Sequence, residues 1–146
     1  MGKYWNNQKY SECHLVSLWN AAIYHGILVP IRYGEEYIED CKKGHAVNGS
    51  CINSGHVVEK LHLRAVEGRL CWDWIKKNCP IEFFVFCHRG YHSILSVGVN
   101  VKRKEVLLVN YAKGRIHWME VSRLIKIHNK YKSPIKWCCL EKMEER

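Results

Sequence analysis

The sequence predicts an α+β domain in which a buried N-terminal helix packs against an antiparallel sheet of four to five strands. Three observations carry this. Apolar residues recur at helical spacing early in the chain. After Cys79-Pro80 the pattern changes to short apolar and β-branched runs separated by turn residues. The connections between those runs are too short for crossovers, so neighbouring strands run antiparallel. A chain of 146 residues fits one domain, with a mainly helical half over 1–79 and a sheet half over 80–140.

Taken in order, Ser11 is an N-cap ahead of Glu12-Cys13-His14. Leu15, Leu18, Trp19, Ala22 and Ile23 follow at helical spacing, while Val16, Ala21 and Tyr24 make the other faces apolar too. A helix greasy on most sides belongs in the middle of its domain, and Gly26 is its stop signal. Shorter helices are expected over 35–42, 55–63 and 71–77. Strands are expected over 81–87, 92–99 and 105–111, the last two joined by a charged turn at 100–104. Residues 115–119 add a short strand, 120–127 a helix and 135–140 a closing strand.

Composition narrows the class. Six Trp, eight Tyr and 47% hydrophobic residues are those of a folded protein. The opening Met1-Gly2-Lys3-Tyr4-Trp5-Asn6 lacks the apolar run of a secretory signal and fails the myristoylation pattern at Asn6. No run approaches the roughly 18 apolar residues of a membrane span. A cytoplasmic location is expected, in a microbe or in the host cytoplasm that a phage or virus has entered. There the eight cysteines read as thiols rather than disulfides. No Cys-x-x-Cys occurs, so zinc with His45, His56 or His88 as extra ligands is the weaker expectation. No metal or cofactor is assigned. The net charge of +9, from 23 Lys+Arg against 14 Asp+Glu, is scattered and favours an acidic partner. It forms no nucleic-acid-reading motif, and solvated loops and helix faces account for most of it.

The chemistry concentrates in Asn7-Gln8-Lys9-Tyr10-Ser11-Glu12-Cys13-His14. Cys13 falls in the first turn of the helix, where free N–H groups and the helix dipole favour a thiolate. Those N–H groups can also receive an oxyanion, with Asn7 or Gln8 as a side-chain donor. His92 opens one strand and Asn110 ends the next, so a tight turn brings them together. Asn110 then orients the imidazole so that one nitrogen is left for Cys13. Taken singly, each residue has a plainer explanation: a small buried thiol, a strand-end histidine, a turn asparagine. Their joint order and element types point to a catalytic triad. His88 is the main rival to His92, followed by His14 and His117; Trp72 and Trp74 cannot share one helix face.

With these residues in place, the chain resembles the papain-like cysteine peptidase superfamily, most closely the bacteriocin-leader (double-glycine) peptidases. The resemblance covers the first 26 residues and 78–140, including Gly114-Arg115-Ile116-His117-Trp118-Met119-Glu120. It implies a Cys13-His92-Asn110 triad. Two positions differ from the usual pattern: His14 replaces the Gly after the nucleophile, and Asn110 stands where Asp is usual. The family's oxyanion Gln commonly lies six residues before the Cys, a place held here by Asn7, with Gln8 one residue closer. Residues 30–69 match nothing in the family and are expected to form the wall opposite the strands. The implied function is a small cysteine peptidase or amidohydrolase acting on a peptide, a protein or a small amide or acyl substrate. The alternative is the same fold as a catalytically weak or inactive binding protein for a host factor or a small acidic ligand. Nucleic-acid binding through the basic surface is a third reading.

Overall fold

The structure is a computed structural model that describes residues 4–5, 13–27, 46–47, 50–51, 61–87, 90–112, 115–131 and 137–143. Helix α1 (Cys13–Tyr24) is buried without interruption from Leu15 to Ala22. Gly26 ends it with φ 69°, a left-handed turn that lets Ile27 N–H donate to the Ala22 carbonyl at 3.0 Å. Asn20, wholly buried in α1, clamps the backbone of Trp5 with both ends of its amide, at 2.8 and 2.9 Å. The N-cap expected at Ser11 lies outside the described residues, as does the helix expected over 35–42.

Beyond α1, β1 (Ala46–Val47) and β2 (Ser50–Cys51) form a separate two-stranded ladder. The main elements follow as β3 (Leu63–Glu67), α2 (Trp72–Ile75), β4 (Ile81–Cys87), β5 (Gly90–Asn100), β6 (Glu105–Ala112), β7 (Arg115–Glu120), α3 (Val121–Tyr131) and β8 (Cys138–Lys142). Six strands make one antiparallel sheet in the order β3-β8-β4-β5-β6-β7. The α+β class holds, but the sheet has six strands rather than four to five. The extra strand is β3, in the half expected to be helical. Of the helix expected over 55–63, residues 55–60 lie outside the described residues. Leu61 and His62 form a turn instead, and Leu63 opens β3. His62 takes φ 56°, which no α-helix tolerates, and burial then alternates at Leu61 and Leu63 against exposed His62 and Arg64.

Strand alternation divides the core in two. On one face Leu95, Val109 and Leu140 meet α1 through Leu15, Leu18, Trp19 and Ala22. On the other, Ile81, Phe83, Ile94, Val106 and Leu108 meet Val121 and Leu124 of α3 and Ile75 of α2. Each fully buried side chain of this size contributes about 1.5–3 kcal/mol. The sheet is therefore a middle layer, which is why β4 and β6 read as nearly continuous apolar runs. Among the described residues, no helix is long and apolar enough to cross a membrane.

Candidate active site

Helix α1 lies along the β4–β5 pair, and its direction follows from three contacts. The His14 ring lies 5.7 Å from that of Phe84, and Ser17 Oγ is 2.7 Å from Ser93 Oγ. At the far end His25 Nε2 donates to the Leu140 carbonyl at 2.7 Å. The N-terminus of α1, with half-buried Cys13 as its first residue, therefore lies toward the β4–β5 turn, the end where His92 stands opposite Val85.

His92 Nε2 donates to the backbone carbonyl of Asn110 at 2.6 Å, which brings the two residues together through the main chain. The acceptor is the main chain, presented by a backbone kink. Asn110 takes φ 65°, and the β6–β7 register shifts between Leu108 and Ala112. Asparagine tolerates this left-handed conformation better than most residues. Cys13 is not joined to either residue by a hydrogen bond among the described contacts. Alternation also counts against that contact: Ser93 faces α1, so neighbouring His92 sets out from the other face, with Ile94. Asn7, Gln8 and the rival His88 lie outside the described residues. His117 pairs in register with Leu108 on β6, one strand away from β5.

The structure also assembles a cluster around Glu82. This carboxylate is 1% exposed, on the face of β4 that meets α1. His14 Nδ1 donates to Oε2. Ser93 Oγ lies 2.5 Å from the same oxygen, and Cys138 Sγ lies 3.9 Å from Oε1. Ser93 has one proton to give, and the carboxylate is its stronger acceptor, so Ser17 is the donor between the two hydroxyls. Burial pulls the His14 imidazole down. The charge of Glu82 and its hydrogen bond, with a smaller electrostatic contribution from Cys13, outweigh that and hold it above the ordinary histidine value. Burial pushes the Cys138 thiol well up, and the neighbouring Glu82 charge adds to the push. The sequence signal for this cluster was a lone Glu in the apolar run Ile81-Glu82-Phe83-Phe84-Val85, with Ser17 inside a greasy helix.

No protein-family model, curated protein or solved structure matches the chain.

Proposed function

We propose that the chain is a papain-like cysteine hydrolase, a peptidase or amidohydrolase that cleaves a peptide-like bond by acyl transfer to Cys13. The observation that carries the reading is the bond from His92 to the Asn110 carbonyl, at the sheet end toward which α1 presents Cys13. That bond selects the Nε2–H tautomer of the neutral ring and leaves Nδ1 as the acceptor. Nδ1 takes the Cys13 proton as Sγ attacks the substrate carbonyl. The tetrahedral oxyanion collapses while the imidazolium returns that proton to the leaving amine. Water deprotonated by His92 then releases the acyl group as its acid and restores the thiol. Backbone N–H groups of α1, with Asn7 or Gln8, receive the oxyanion. Because His92 sets out from the sheet face opposite α1, the proton transfer from Cys13 requires the strand end around His92 to rearrange and turn the imidazole toward Cys13.

The test is hydrolysis of a fluorogenic peptide and amide panel by Cys13→Ala and His92→Ala. Each variant is expected to lose at least about a hundredfold of rate; full activity of Cys13→Ala overturns the reading. Asn110→Gly, which keeps both the carbonyl and the left-handed backbone, is expected to stay within about tenfold of the parent.

A second reading is favoured by one observation: among the described contacts no hydrogen bond joins Cys13 and His92. In it the fold serves as a binding protein, and the net charge of +9 selects an acidic ligand or host factor. Turnover would then be missing across the panel, and Cys13→Ala would bind that partner like the parent.

A further inference from the structure

We infer that the β5–β6 turn and the outer face of α3 form one basic corner, which binds the phosphodiester backbone of a nucleic acid without reading its sequence. This corner is separate from the hydrolase site and shares none of its residues. Positive charge that reads as scattered along the chain is partly gathered by the fold. Residues 101–104, between β5 and β6, are exposed throughout and include Lys102, Arg103 and Lys104. Asn100 Oδ1 accepts from the Arg103 N–H at 3.0 Å, which fixes the turn. The Lys104 carbonyl accepts from the N–H of Val121, the first residue of α3, also at 3.0 Å, and seats the turn against the start of the helix. On α3 itself Val121 and Leu124 enter the core, while Ser122, Arg123, Lys126, Asn129 and Lys130 are exposed. Helical geometry puts Arg123, Lys126 and Lys130 within about 60° of one another, over about 10 Å of axis. That length is the rise of about three base pairs along one strand.

Stability alone would not choose this arrangement. The first turn of α3 holds Arg123 and no acid, so a cation stands at the positive end of the helix dipole, with Lys102, Arg103 and Lys104 in the turn beside it. Lys104 also takes φ 52°, a left-handed conformation that glycine adopts freely and a lysine does not. A bound anion relieves the repulsion and gives the strained lysine a use. The carboxylates of this sheet end, Glu105 and Glu120, face each other in register. Their neighbours Val106 and Met119 lie in the α3-side core, so strand alternation turns both carboxylates to the opposite face. The exposed side chains then select the partner. An acidic protein surface needs an apolar centre to bury, and the outer face of α3 presents Ser, Arg, Lys and Asn instead. These are the residue types that contact phosphate and sugar oxygens. Val101, 62% exposed in the turn, is the apolar exception.

The test is fluorescence anisotropy of a labelled DNA duplex of about 20 base pairs with the full chain, over about 50 to 200 mM salt. Affinity is expected to fall with a log–log slope of about −3 or steeper, the counterion release of three or more phosphate contacts. Arg123→Gln and Lys126→Gln are each expected to weaken binding alike on duplexes of different sequence and to make the slope shallower by about one. Lys142→Gln removes the same charge from β8, toward the far edge of the sheet, and is expected to match the parent. Lys104→Gly removes a cation and a strained backbone together, so it is expected to weaken binding while raising the urea midpoint. Absence of binding at the lowest salt overturns the proposal. So does an Arg123→Gln and Lys126→Gln pair that binds like the parent, or a Lys142→Gln that weakens as much as they do. Polyglutamate at equal charge is expected to displace the duplex poorly; displacement as effective as that by unlabelled DNA makes the partner an acidic protein and overturns the proposal as well. Cys13→Ala is expected to bind the duplex like the parent, so failure of the hydrolase reading leaves this result intact.

Discussion

A carboxylate with 1% exposure needs partners to keep its charge, and Glu82 has them on both oxygens. Removing one member of such a buried pair typically costs about 3–5 kcal/mol, so Glu82→Ala is expected to be strongly destabilised in urea unfolding. The pH dependence has a definite sign. His14 is held above the ordinary value of 6.5 when folded, so its stabilisation is complete below that value. It is lost as pH rises through the raised folded value. Urea midpoints should therefore fall from slightly acid toward mildly alkaline pH, and Glu82→Gln should flatten that slope. Neither half of the pair was fully legible in the sequence. His14 stood out as a lesser rival to His92 and as the residue that replaces a Gly, and Glu82 was not singled out within its apolar strand. Nothing in the spacing joins residues 14 and 82; that took the register of β4 against β5 and the line of α1 across them. His92 and Asn110 were easier, because a short hairpin relates them and local rules suffice.

Among the elements, α1 and the four strands β4 to β7 were legible because each carries its own signal: helical or strand-length apolar runs, bounded by Gly or charged turns. The limit came at β3. Its partner, β8, lies more than seventy residues away, with Leu63 opposite Lys142 and Glu67 opposite Cys138. A strand whose stability depends on so distant a partner leaves little local trace. The exposed Arg64–Glu141 pair across this ladder adds little to it. The end of α1 offers a clean test of one local rule. A methyl group at Gly26 would meet nothing within 4 Å, so only the positive φ of 69° opposes a side chain there. Gly26→Ala is accordingly expected to cost about 1–2 kcal/mol, the left-handed penalty alone, read as a lower urea midpoint with an unchanged m-value.

For the whole molecule, the decisive feature is where the last strand goes. β8 inserts between β3 and β4, and it brings Leu140 to the α1-side core just after Trp137 has entered the α3-side core. One short segment thus stitches both cores and joins the two halves of the sheet. A chain stopped after residue 136 is expected to lose its cooperative urea transition rather than merely shift it. The same insertion sets a schedule for the protein as it is made. Synthesis delivers α1 and β3 well before β8, so β3 emerges without its neighbour and the apolar flank of α1 waits for its cover. The nascent chain is therefore most in need of a chaperone until β8 has emerged. The buried flank of α1, from Leu15 to Ala22, stays open to solvent and to other chains for that whole interval.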